Sequence, residues 1–146
     1  MNTKDFGEFV MGEFGGVVCD HPWESSPTYT VYRHGDNKKW LALVFDATKE
    51  QLLKLKPEDN AVREYADGER IDVVNLKLDP EMIEDVIKTP GIFPAFHMNR
   101  RYWGTAILDG TVDAETLAPL VEMSYILTMK KIANRPSFIK LGQWKT

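Results

Sequence analysis

The 146-residue chain predicts a single α+β domain of two layers, with a mainly antiparallel sheet covered by helices. Three observations lead there. The runs "TYTVYRH" and "KWLALVF", rich in β-branched and aromatic residues, flank the turn "GDNK" and predict a β-hairpin over Tyr29–His34 and Lys39–Asp46. The element order of helix, hairpin, strand, helix, strand, helix favours antiparallel pairing over alternating βα units. With 43% hydrophobic and 11% aromatic residues, a chain of this length can bury a core without staples.

The elements follow in order. Thr3 is read as the cap of a first helix in which Phe6, Phe9, Val10, Phe14 and Val17 recur at helical spacing, with Gly15-Gly16 ending it. "CDHPWESSP" reads as a loop before the hairpin. Thr48 and Gln51 predict a capping box for the short helix "TKEQLLKL", stopped by Pro57. The polar stretch "KPEDNAVREYADGER" leads to a strand at "IDVVNLKL", residues 71–78. Asp79-Pro80 is read as the start of a short helix with Met82, Ile83, Val86 and Ile87 on one stripe, closed by Pro90-Gly91. A fourth strand is expected over Tyr102–Leu108. Asp113 then caps a long helix to about Ala133, with Leu117, Leu120, Val121, Ser124, Leu127 and Thr128 on one face. Residues 1–133 form the expected domain, and 134–146 a basic, aromatic tail packed on it through Phe138, Ile139, Leu141 and Trp144.

Composition narrows the function classes. The amino terminus lacks a signal-peptide pattern and no stretch approaches the length of a membrane span, so a soluble, cytoplasmic protein is expected with no membrane partner. Net charge is −4, against a protein that coats nucleic acid through bulk electrostatics. Yet residues 126–146 carry five basic side chains and no acidic ones, while the first 125 carry 13 against 22. Cys19 is the only cysteine and reads as a small buried residue; no intrachain disulfide or CxxC pair is possible.

No GxSxG, GxxxxGK[ST] or GxGxxG motif is present, and His21, His34 and His97 show no ligand spacing. No metal, cofactor or catalytic constellation is expected. The densest polar cluster is "FPAFHMNRRYW", with His97, Asn99, Arg100, Arg101 and Trp103, and Lys77 as a neighbour from the third strand. If extended, it would split its arginines between two sides, one holding a carboxylate such as Asp79 or Glu81 and the other free for phosphate. On the structural reading, which is favoured, His97 and Asn99 bond the irregular backbone and Trp103 enters the core. On the other, the same residues are an anion-recognition corner. Trp23 reads as a plug over the mouth of the core.

Taken in order, "HPWE" (21–24), "KKWLALVF" (38–45), "VNLKLDPE" (74–81), "PGIFPAFHMNRRYW" (90–103) and "SYIL" (124–127) resemble the MmcQ/YjbR-like family of small bacterial proteins over about residues 20–130. The resemblance implies a CyaY-like two-layer α+β fold, similar to frataxin and secretion-chaperone architectures, and a role in DNA binding through paired hairpins. The chain departs from the family pattern at Leu78, where cysteine is common, at Arg100, where lysine is, and at Tyr102, where histidine is. Two function classes stand open. One is a DNA-binding module using Arg33, Lys38, Lys39, Lys77, His97, Asn99, Arg100 and Arg101. The other is a chaperone-like adaptor that binds another protein through the apolar face of the last helix and the aromatic tail. An enzyme acting through His97 ranks behind both, because no second catalytic group accompanies it.

Overall fold

The structure, a computed structural model, describes residues 1–130. Six strands form one antiparallel sheet in the order β1-β2-β3-β4-β6-β5, as the α+β reading requires. The first helix, α1, spans Thr3–Glu13, and its cap is Asn2, one residue before the expected Thr3. Asn2 Oδ1 accepts from the Asp5 backbone at 2.8 Å and the Asp5 carboxylate accepts from the Asn2 N–H in return. Thr3 is used elsewhere: its hydroxyl donates to Asp72 at 2.6 Å and ties α1 to the sheet.

The expected loop after α1 begins as a strand. Val17–Asp20 forms β1 on the sheet edge, so Val17 belongs to a strand and Cys19, expected to be buried, is exposed. Four residues ending in Cys-Asp are too few to show an alternation. The hairpin stands where it was expected, as β2 (Thr30–His34) and β3 (Trp40–Thr48). Its register slips between Tyr32 and Arg33, so that Tyr32 faces Ala42 and Arg33 faces Trp40. Leu41 is the extra residue of this bulge; Leu41 and Ala42 both enter one core, and Trp40 is left for the other side of the sheet.

The Thr48/Gln51 capping box closes with bonds of 3.1 and 2.8 Å at the start of α2 (Lys49–Leu55). Strand β4 is Arg70–Lys77. Asp79 does not open a helix directly. Its carboxylate accepts from the Glu81 N–H at 2.9 Å and its carbonyl from Met82, making a turn, and α3 is only Ile83–Val86. A short strand absent from the sequence reading, β5 (Ile92–Pro94), lies on the far sheet edge, where a proline is tolerated. Gly91 before it has φ +86°, and a Cβ there would meet Ile107, Thr111 and Val112 at 3.1–3.2 Å. Strand β6 is Trp103–Ile107. Asp113 caps α4 with a 2.8 Å bond to the Thr116 N–H, but α4 runs from Ala114 only to Thr128, because Met129 turns to extended backbone. The expected tail at 134–146 lies outside the described residues.

The larger core joins α1 and α4 to one sheet face through Phe6, Val10, Val44, Val74, Leu76, Leu117 and Val121. Ser124 is the polar pin: it donates to the Leu41 carbonyl and accepts from the Lys77 N–H at 2.9 Å, fixing α4 at the bulge. A smaller core lies on the opposite face beneath α2 and residues 59–65, built on Phe45, Leu52, Val62, Val73, Phe93 and Ile107. That cover is partial, and beyond it the second face carries Arg33 and Trp40.

His34 is buried beneath α4, its Nε2 2.8 Å from Thr128 Oγ1 and 3.1 Å from the Tyr125 carbonyl. Burial pushes the imidazole below its ordinary value, with Lys39 adding to the depression and the Tyr125 carbonyl and Asp36 opposing it. The folded protein therefore binds fewer protons than the unfolded chain between the depressed value and about pH 6.5, and stability rises with pH across that window. Melting temperatures taken from pH 7.5 down to 5.5 should fall more steeply for wild type than for His34→Gln. Parallel profiles would show that His34 does not carry the dependence.

Candidate functional site

The second sheet face is ordered by strand register. Val31, Leu43, Asn75, Thr105 and Phe93 pair across β2, β3, β4, β6 and β5. Two residues further along β2, β4 and β6, and three along the bulged β3, stand Arg33 beside Trp40 and Lys77 beside Trp103 on the same face. Trp103, expected in the core, is half-buried in this row. The β2–β3 turn with Lys38 and Lys39, the end of β4 with Lys77, and the approach to β6 with Arg100 and Arg101 all lie at one end of the sheet.

The loop before β6 is built by side chains beneath it. Asn75, fully buried, donates to the Phe96 carbonyl at 2.8 Å and accepts from the Thr105 hydroxyl, which in turn accepts from the Phe96 N–H at 3.0 Å. This triangle fixes Phe96 over the sheet. His97 then takes φ +65°, a left-handed conformation uncommon outside glycine, with its ring against Phe96 at 3.9 Å between centroids. Asn99 accepts from the Arg101 N–H through its side chain at 2.9 Å and from Tyr102 and Trp103 through its carbonyl. Residues 97–102 are thus turns, not the extended backbone that would have split the arginines.

Neither arginine of this loop has the expected carboxylate partner among the described residues. Arg100 donates to the Ala95 carbonyl at 3.2 Å and closes the loop on itself, while Arg101 is exposed, its guanidinium 5.6 Å from the Tyr102 ring. Of the two residues expected to bond the backbone, Asn99 does so. His97 packs by its ring instead, exposed and without a hydrogen bond among the described residues.

Between this loop and residues 23–29 lies a cleft of about 310 Å³, lined by Trp23, Ser26, Tyr29, Trp40, Leu43, Phe45, His97 and Met98. Trp23 stands edge-on to Tyr29 and to Trp40, with centroids 6.3 and 5.8 Å away. It is half-buried and forms a wall of the cleft. Phe45 supplies the floor and stacks on Phe96 at 5.9 Å. Arg33 is ion-paired to Asp20 and half-buried; Lys38 and Lys39 are exposed, with no ion pair among the described residues. Trp40, Tyr29 and Met98 had no place in the sequence-based site. Among the described residues no group of three or more histidines, cysteines and carboxylates could hold a metal ion, and no helix is long and apolar enough to cross a membrane.

A family profile, YjbR, matches residues 13–127, which takes in the hairpin, the 95–102 loop and nearly all of α4. The chain belongs to the YjbR family. It is 32% identical over 129 residues to the uncharacterized protein YyaQ of Bacillus subtilis strain 168, spanning 88% of this chain and 98% of that one. The fold is similar to a crystal structure of a Pseudomonas syringae protein at TM-score 0.75 and 36% identity, covering 88% of this chain and 100% of the other. A crystal structure of the Deinococcus radiodurans protein DR2400 gives TM-score 0.64 at 27% identity, over 97% of this chain and 89% of that one. The residues that line the cleft, Trp23 to Met98, fall within the matched YjbR region.

Proposed function

We propose that this YjbR-family domain is a cytoplasmic, non-catalytic DNA-binding module that works through the open part of its second sheet face. The observation that carries the reading is position: Lys38, Lys39, Lys77, Arg100 and Arg101 gather at one sheet end, on and around a face that also presents Trp23, Trp40 and Trp103. Cations there hold phosphates and set register, and aromatic rings offer sequence-tolerant surfaces for bases. Arg33 contributes charge only to the extent that it exchanges Asp20 for phosphate. Arg100, Asn99 and His97 first shape the loop, which leaves Arg101 as the loop cation best placed to reach a phosphate.

The adaptor reading is left with less surface. Leu117, Leu120, Val121 and Met123 of α4 are buried against the sheet, and Leu127 is half-buried. The test is a titration of a labelled oligonucleotide at about 50 and 200 mM salt. Wild type should bind at the lower salt, and Lys38→Ala/Lys39→Ala should flatten the plot of log affinity against log salt by about 0.7–0.9 for each phosphate that is no longer neutralised. Arg101→Ala should do the same. Absence of wild-type binding at about 50 mM salt would overturn the DNA reading.

A further inference from the structure

The cleft is built differently from the basic end beside it. It offers aromatic faces and edges, a volume near the lower limit of the roughly 300–1,000 Å³ usual for small-ligand sites, and few polar atoms. Those polar atoms are of a particular kind. Ser26 and His97 are among the lining residues, neither side chain has a hydrogen-bond partner among the described residues, and a hydroxyl and an imidazole can each both donate and accept. Such groups suit the edge of a flat heteroaromatic ring. Cations border the cleft: Lys38 and Lys39 immediately precede Trp40, and Arg33 is its cross-strand neighbour. Trp40 is 37% exposed and lines the cleft.

The backbone points the same way. His97 is held at positive φ by the Asn75–Thr105–Phe96 triangle on one side and by the Asn99 and Arg100 bonds on the other. A non-glycine residue in this region costs energy that its surroundings must offset. Here the result is to hold His97 and Met98 among the residues that line the cleft.

We infer that the cleft between Trp23, Trp40 and His97 receives one unpaired nucleobase, and that the domain therefore prefers single-stranded DNA to duplex. This rests on the DNA-binding reading and names its substrate. A base inside a duplex presents no free face, and entering a pocket of this size requires it to leave the stack. In a single strand the base enters while its flanking phosphates lie toward Lys38, Lys39 and Arg33. One stacked base removed by alanine substitution weakens binding by about tenfold.

The test compares a labelled oligothymidylate, a duplex of the same length and a strand with abasic positions, each with wild type, Trp40→Ala and Trp40→Phe, after circular dichroism has shown the variants folded. The single strand should bind at least about tenfold tighter than the duplex or the abasic strand. Trp40→Ala should lose that preference with an unchanged salt slope, and Trp40→Phe should restore most of it. Equal affinity for all three nucleic acids, or a silent Trp40→Ala, would overturn the base site and leave the DNA reading standing. If no oligonucleotide binds, thymidine monophosphate is titrated at millimolar concentration against the tryptophan fluorescence. Quenching that Trp40→Ala removes would keep the base site and discard the DNA reading; no quenching would discard both. Concentration-dependent dimerisation that Trp40→Ala abolishes, without nucleotide binding, would assign the cleft to a second copy of the chain and overturn the inference.

Discussion

Replacing Asn75 by leucine is expected to destabilise the domain by about 3 kcal/mol, lowering the melting temperature by roughly 10 °C at this chain length. Leucine keeps the same branched heavy-atom skeleton but is bulkier, so lost polar satisfaction is the main cost and tighter packing adds to it. The Phe96 carbonyl loses its 2.8 Å donor and the Thr105 hydroxyl its acceptor, beside strand positions 75 and 105 that are fully buried. Each buried group left unpaired costs about 1–3 kcal/mol, more than the hydrogen bond itself contributes. Thr105→Val removes the same triangle from its other corner by deleting the acceptor for the Phe96 N–H. The double variant should therefore cost clearly less than the two single costs added together, as calorimetry or urea denaturation would show. Additive costs would mean that the three groups do not act as a unit. The consequence reaches the cleft, because His97 and Met98 follow directly on Phe96. A folded Asn75→Leu protein should lose preference for an unpaired base before it loses salt-dependent binding through Lys38 and Lys39.

The residues that make this triangle show where sequence reading stops. The hairpin was legible because β-branched and aromatic runs flank a polar turn, and the caps at Thr48 and Asp113 because a capping oxygen bonds within three residues of itself. Asn75, one amide in the middle of "VVNLKL", reads from the sequence as satisfying a sheet edge, whereas β4 is a central strand and Asn75 is fully buried. An amide in a buried strand requires partners, but nothing local says that they are Phe96 and Thr105, 21 and 30 residues away. Strand β5 was hidden because three residues ending in proline carry no period. Trp40 was placed in the hairpin correctly and aimed nowhere. Its direction depends on the bulge at Leu41, and Trp23 meets it only after β1 and the loop that follows are in place. The strand ends near the basic residues could be read from the sequence; how those residues lie around the cleft could not.

The largest single-residue effect is expected at a position that the sequence presented as an ordinary lysine before Pro57. Lys56 and Asp59 form a 2.9 Å ion pair with the aspartate side chain fully buried and the lysine side chain 8% exposed. Lys56 Nζ also donates to the carbonyls of Thr89 and Ile92, each at 2.9 Å, and lies 5.5 Å from the Phe93 ring. Asp59 accepts from the N–H groups of Gly91 and Ala61 at 3.0 and 2.8 Å. The pair thus fastens the end of α2 to the turn that enters β5, and Gly91 has no room to yield. Lys56→Met leaves a carboxylate buried without its counter-charge, which should cost about 3–5 kcal/mol and lower the melting temperature by roughly 10–15 °C. Asp59→Asn strands the lysine in the same way, although the Thr89 and Ile92 carbonyls still hold its ammonium, so a smaller loss is expected. The double variant Lys56→Met/Asp59→Asn removes both charges and keeps an amide oxygen for one of the two N–H donors. It should be no less stable than Lys56→Met alone, because burying two charges offsets much of what their attraction contributes. Urea denaturation of the four proteins measures the coupling. Purely additive losses would show that Lys56 acts through its methylene packing on Phe93 and not through its charge.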